Sequence, residues 1–154
     1  DNRMSILSGG GLTFNGDTAA ANALSDYEVG TWTAGLQSSG THPTTSSLSA
    51  PGNYVKIGDI VHASVYIVAN FSNTGTGNAK ISGLPFTLGA NASEYWPFIY
   101  VHGDLFENDV YGGYGINNDN KLQPVKPNAT THAVYRTGTG ITRVAMLNIT
   151  YRAA

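Results

Sequence analysis

Aromatic residues interleave with Asp and Asn between positions 95 and 120, and that mixture is the chain's strongest candidate for chemistry. Tyr95-Trp96-Pro97-Phe98-Ile99-Tyr100-Val101-His102-Gly103-Asp104 is followed by Glu107-Asn108-Asp109-Val110-Tyr111-Gly112-Gly113-Tyr114-Gly115 and by Asn117-Asn118-Asp119-Asn120. A pyranose presents an apolar C–H face that stacks on an aromatic ring, and a hydroxyl rim that takes carboxylate acceptors and amide donors. The residues expected to bind such a ligand are Tyr95, Trp96, His102, Asp104, Asn108, Asp109, Tyr111, Tyr114, Asn117 and Asp119. A plainer reading stands beside it, with Trp96, Phe98 and Tyr100 as core aromatics and Gly112, Gly113 and 117–120 as turn residues.

Catalysis fits the same stretch poorly. Glycosidases need two carboxylates about 5 to 10 Å apart across the scissile bond. Asp104, Glu107 and Asp109 are close in sequence, but short acidic residues beside Gly and Asn are ordinary in loops. There is no Gly-x-Ser-x-Gly elbow and no His-Glu-x-x-His pair, and His42, His62, His102 and His132 are scattered singly. On the predicted strands, His62 and His102 read as packing or hydrogen-bonding residues. The oxygen-rich run 117–120 lacks the alternating acids and distal Glu of an EF-hand and reads as a turn. The expectation is a non-enzymatic chain with no catalytic residues, no metal and no cofactor.

The chain has 154 residues and a formal net charge of −2, with only 12% charged residues and 19 glycines. That length fits one domain with a real core. Average soluble proteins carry about 25% charged residues, so this surface is polar through Asn, Ser and Thr rather than through ions. Nucleic acid, which calls for clustered Lys and Arg, is not an expected partner. Zero cysteines remove thiol chemistry, Cys-based zinc sites and disulfides. This suits a protein made in a bacterial cytosol and deployed outside. No run approaches the roughly 18 apolar residues of a membrane span. The opening Asp1-Asn2-Arg3-Met4 lacks a signal-peptide layout and reads as the start of an excised fragment.

The elements that must position these groups are strands. Val61, Ala63, Val65, Ile67, Ala69 and Phe71 alternate with Ile60, His62, Ser64, Tyr66, Val68 and Asn70, a period of two that predicts a half-buried antiparallel strand. Residues 142–152 repeat it, with Ala145, Leu147, Ile149 and Tyr151 opposed to Val144, Met146, Asn148 and Thr150. Here the second face keeps Val144 and Met146, as a subunit interface or a central strand would. Strands are also expected at 29–36, 53–57, 78–83, 95–102, 110–116 and 131–137, whereas 37–52 has loop composition. Some eight strands without helices predict an antiparallel β-sandwich, jelly-roll-like. It would form a tip domain over 29–154, preceded by an irregular stalk or linker over 1–28.

Three blocks add a resemblance: Leu24-Ser25-Asp26-Tyr27-Glu28-Val29-Gly30-Thr31-Trp32-Thr33, Asn53-Tyr54-Val55-Lys56-Ile57-Gly58 and Ile81-Ser82-Gly83-Leu84-Pro85-Phe86. In order and spacing this series resembles the signature of distal receptor-binding domains of bacteriophage tail fibres and tailspikes. The chain departs from that signature at Ser25, Val29 and Ala34, and keeps Tyr27, Gly30 and Trp32. The resemblance implies a homotrimer whose N-terminal part enters a shared stalk, burying Ile6, Leu7, Leu12 and Phe14. It implies an extracellular tip, at the distal end of a virion fibre or a bacterial surface fibre, that attaches to bacterial lipopolysaccharide or capsule without turnover. The alternative it leaves open is a structural cap that trimerises the fibre and touches no receptor.

Overall fold

A computed structural model describes residues 3–19, 23–24, 26–89, 95–107, 110–127, 132–136, 138 and 140–154. Among them there is no helix. The strands are β1 (Met4–Ile6), β2 (Leu12–Phe14), β3 (Tyr27–Thr33), β4 (Gly35–Ser38), β5 (Thr44–Ser49), β6 (Pro51–Ile57), β7 (Ile60–Asn73), β8 (Ala79–Ser82), β9 (Trp96–Gly103), β10 (Gly112–Gly115), β11 (Leu122–Val125) and β12 (Thr142–Arg152). All their pairings are antiparallel, as the alternation predicts.

The longest ladder joins the two segments with the clearest period of two. Strand β12 runs against β7 from Thr142↔Asn70 to Arg152↔Ile60. Val61, Ala63, Val65, Ile67, Ala69 and Phe71 on β7, and Ala145, Leu147, Ile149 and Tyr151 on β12, form the core. Tyr151 is fully buried and resolves its polar end locally: its hydroxyl accepts from the Phe86 N–H at 3.2 Å and donates to the Phe86 carbonyl at 3.1 Å. Burial pushes that hydroxyl's pKa up to about 12.

The sheet curls until it nearly closes. Its order is β3-β6-β7-β12-β9-β10-β11-β8-β4, and a single residue, Ala34, separates β3 from β4, so both edges belong to one bent strand. Ala50 likewise separates β5 from β6, which pair with successive parts of β7. Both alanines are buried, and the Ala34 N–H donates to the Ala50 carbonyl at 3.0 Å. A small side chain is what an inside corner can hold. With these bends the two faces of the expected sandwich become one continuous wall around a shared core.

The three blocks that carry the family resemblance meet at this corner. Gly30 pairs with Tyr54 and Trp32 with Gly52 across β3 and β6. A Cβ on Gly30 would lie 2.5 Å from the Tyr54 hydroxyl, and one on Gly52 would lie 2.3 Å from Trp32 Nε1, so each ring lies flat on a glycine. Trp32 Nε1 donates to the Ser64 carbonyl at 3.1 Å. Phe86 then packs edge-on against Tyr54 at 5.3 Å, with Lys56 Nζ 5.4 Å above its ring. Lys56 pairs with Asp26, and the Tyr54 hydroxyl donates to Glu28. Residues from all three blocks thus pack together at the corner.

Two expectations are corrected. Residues 37–52 are not a loop: β5 runs through Thr44–Ser49 and pairs with the C-terminal part of β7, its Ser and Thr side chains mostly exposed. The loop composition reflects a solvent-facing strand with no apolar alternation to reveal it. Residues 131–137 hold no continuous strand among the described residues, only bridges at His132 and Tyr135. That segment is a wedge between β11 and β8, which share only the pair Leu122↔Ile81. Residues 122–125, which carry no strand signal in the sequence, form β11. Strand β3 begins at Tyr27, two residues before the expected strand at 29–36. In the leader, β1 and β2 form a small hairpin extended by the bridge Leu12↔Leu24, with Met4, Ile6, Phe14 and Leu24 exposed.

Candidate functional site

Eight of the ten residues expected to bind ligand are described, and they are distributed around the ribbon of β9 and β10, which pair from Gly112↔Ile99 to Gly115↔Trp96. Inward and outward positions alternate along β9. Phe98 is buried and Trp96 and Tyr100 pack against the core, while Pro97, Ile99 and Val101 face outward. The plainer reading of these three aromatics as core residues therefore describes their packing. Trp96 Nε1 is buried and has no hydrogen-bond partner among the described residues.

Trp96 and His102 are six strand positions apart, roughly 20 Å, so the candidates fall into two groups. At the Trp96 end, Tyr95 is 70% exposed and meets Tyr114 edge-to-face at 5.6 Å. The Tyr114 hydroxyl lies 2.9 Å from His132 Nε2, and His132 Nδ1 lies 3.0 Å from the Asn78 amide nitrogen. With that amide as donor, Nδ1 accepts and Nε2–H donates to Tyr114. Asn117 and Asp119 sit nearby in the turn linking β10 to β11, where Asn118 adopts φ 57° and the Asp119 N–H donates to the Ile116 carbonyl at 3.1 Å. The Asp119 carboxylate accepts from Lys121 Nζ at 2.7 Å. Burial alone would raise its pKa, but the bonds from Lys121 and the Asn120 N–H, with the Lys121 and Lys80 charges, hold it below the ordinary value. This is the turn expected of the run 117–120.

At the other end, His102 and Tyr111 are exposed, Tyr111 at 69%. They border a depression of about 260 Å³ whose wall also includes Tyr100, Gly103, Phe106 and Arg136. Gly103 has φ 138°, and a Cβ there would lie 2.1 Å from the Val144 carbonyl, so the end of β9 can turn only through glycine. The turn delivers Asp104 to β12, where its carboxylate accepts from Arg143 Nη1 at 2.7 Å and from the Val144 N–H at 3.1 Å. Burial works against its ionisation, yet those two bonds and the Arg143 and Arg136 charges hold its pKa below the ordinary value. Asp104 is thus a latch between β9 and β12. Asn108 and Asp109 lie outside the described residues.

No protein family, curated protein or solved structure matches the chain. The site is therefore read from its own geometry.

Three contributors escaped sequence reasoning. His132, Asn78 and Arg136 are far in sequence from 95–120: His132 and Arg136 arrive through the wedge, and Asn78 directly precedes β8. Ala133 N–H donates to the Pro124 carbonyl at 3.0 Å, Ala79 N–H to the Ala133 carbonyl at 2.8 Å, and Arg136 N–H to the Leu105 carbonyl at 3.0 Å. Buried aromatics anchor it: Tyr135 stacks on Phe106 at 5.7 Å and contacts Phe71 at 5.3 Å, and its hydroxyl donates to the Lys80 carbonyl at 2.6 Å. The available signal was scarcity, since Arg136 is one of only eight Lys and Arg residues in the chain. Of the two strand histidines expected to pack or hydrogen-bond, His62 Nδ1 meets Thr150 Oγ1 at 2.9 Å and His102 is exposed; His42, for which no such role was expected, accepts from the Ser38 N–H at 3.4 Å through Nδ1.

Proposed function

We propose that the chain is the receptor-binding tip of a fibre and that it attaches, as a homotrimer, to glycan on bacterial cell surfaces. Such a tip acts by multivalent adhesion and not by turnover, outside the cell, at the distal end of a phage virion fibre or a bacterial surface fibre. The observation that carries this reading is the pair of exposed aromatics, Tyr95 and Tyr111, each beside hydrogen-bonding groups at an end of the β9–β10 ribbon. Exposed tyrosines set next to imidazole, amide and guanidinium groups supply the stacking face and the polar rim that a sugar requires. Repetition of weak sites around an axis then raises attachment without new contacts.

A second observation supports the self-association and also favours the alternative, a trimerising cap with no receptor contact. The outward positions of β3, β6, β7, β12 and β9 expose Val29, Ile57, Ile60, Tyr66, Met146, Ile99 and Val101. From strand spacing and rise the whole outward face projects over an area on the order of 500 Å², with His62, Ser64, Asn148 and Thr150 lying among its apolar side chains. The experiment that separates the readings measures binding of labelled protein to a glycan array and to whole bacteria, with its mass in solution determined on the same sample. A trimer that binds a defined set of glycans supports the receptor tip. A trimer that binds neither glycans nor cells supports the cap, and a monomer that binds nothing removes both.

A further inference from the structure

The two ends of the β9–β10 ribbon differ in charge. At the Tyr95, Tyr114 and His132 end the polar side chains bond one another, and the charges of Asp119 and Lys121 nearby pair at 2.7 Å. At the Tyr111 end, the described residues hold a guanidinium with no ion-pair partner: Arg136 forms none of the chain's described salt bridges. It is close enough for its charge to act on both Tyr100 and Asp104. Asp104 does not neutralise it, because that carboxylate already accepts from Arg143 at 2.7 Å. Glu107 follows Phe106, but borders a different depression, with Thr74, Thr76 and Tyr135.

The same depression offers further donors. The Tyr100 hydroxyl accepts from the Leu105 N–H at 3.2 Å, which leaves its own hydrogen available to a ligand. His102 and the exposed ring of Tyr111 form the open side. A cation, a hydroxyl hydrogen and an exposed aromatic face around about 260 Å³ suit a sugar ring that carries an acid group. Arg is the side chain whose planar fork matches a carboxylate bidentately.

We propose that this depression binds a carboxylate-bearing saccharide, with Arg136 and the Tyr100 hydroxyl on the carboxylate and the Tyr111 ring against the sugar's C–H face. The inference rests on the glycan-binding reading and narrows it to acidic sugars. It also divides the ribbon's labour: the Tyr111 end selects charge, while the Tyr95 end meets neutral sugar.

The test titrates the full chain with glucuronate-, galacturonate- and sialate-containing oligosaccharides, each against its carboxyl-reduced neutral counterpart, following ligand and protein signals by NMR at millimolar concentrations. At least one acidic member of a pair should bind about tenfold or more tightly than its neutral partner, the effect of one charge-assisted contact. Arg136→Gln should abolish that preference while leaving the protein's thermal midpoint and solution mass unchanged. Tyr95→Ala should leave it intact. Binding of neutral and acidic partners alike, or an acid preference that survives Arg136→Gln, overturns this inference and leaves the glycan-binding reading standing. Absence of binding to every saccharide and to whole bacteria overturns both.

Discussion

The outward face of β7, β12 and β9 and the far end of the β9–β10 ribbon belong to one sheet and expose opposite chemistry. The first presents Ile60, Tyr66, Met146, Ile99 and Val101, with its charges confined to a rim pair, Arg152 and Asp59 at 3.1 Å. The second gathers a guanidinium with no ion-pair partner among the described residues, an imidazole and an exposed phenol around a depression. A strand fixes only which side a residue faces; what that side meets is decided by which neighbours lie beside it. On β9 itself Ile99 lies outward opposite Asn148, while His102 lies where β12 slips register between Met146 and Leu147. That irregularity marks the boundary between the face that exposes aliphatic side chains and the polar depression.

The largest expected effect comes from breaking the apolar face. Ile99→Glu combined with Met146→Glu places two charges where an oligomer would bury aliphatic side chains, at positions 63% and 41% exposed in the single chain. The mass by analytical ultracentrifugation should fall to that of one chain. Attachment to whole bacteria should weaken by about 10²- to 10⁴-fold through lost avidity, while saccharide affinity per chain stays constant. An unchanged mass would place the subunit contact elsewhere.

Trp96→Ala comes next and sharpens the line between fold and site. Trp96 was expected to touch ligand, and its side chain packs partly buried against the core. Its removal should lower stability by about 2 kcal/mol, less than full burial would give, read as a reduced urea midpoint. Saccharide affinity of the folded fraction should hold. Lost affinity at unchanged stability would return Trp96 to the ligand surface. Tyr111→Ala should do the reverse, with stability shifting by less than about 0.5 kcal/mol and saccharide affinity falling about tenfold as an aromatic contact is lost.

The contrast between Trp96 and Tyr111 also shows how far the sequence could be read. The period of two on β7 and β12 is a direct consequence of one buried face, and both strands were legible almost to their ends. Strand β5 was not, because every one of its side chains except Leu48 is Ser or Thr, and an exposed strand carries no apolar alternation to detect. The wedge was illegible for another reason. Tyr135 and Ala133 are buried by contacts with β8, β11 and Phe106, all distant in sequence, and no local pattern encodes which gap a segment will fill. The candidate site inherits both properties: its aromatics were visible as a run, but their inward or outward sense depends on register, and Arg136 depends on the wedge.

The smallest effect tests the latch that holds the two surfaces in register. Asp104 leaves the end of β9 and binds Arg143 of β12, a residue only 8% exposed, so the pair fixes the polar end against the strand that carries Met146. The folded-state pKa of Asp104 lies below the ordinary value near 3.9. A group depressed in the folded state stabilises it fully above the unfolded value and loses that contribution as pH falls through the folded one. Because the carboxylate is 37% exposed, solvent screening limits the contribution to about 0.5 kcal/mol. Asp104→Asn should therefore lower the urea midpoint slightly at neutral pH, and the gap to the unmodified protein should narrow steadily below about pH 4. Asp119, depressed by Lys121 in the turn at the opposite end, supplies the control. Asp119→Asn should show the same pH dependence but leave the saccharide preference at the Tyr111 end untouched, whereas Asp104→Asn, which removes a negative charge near Arg136, should strengthen that preference. A preference unmoved by Asp104→Asn would mean that the depression and the latch are electrostatically separate, and that β12 positions the ligand surface through backbone register alone.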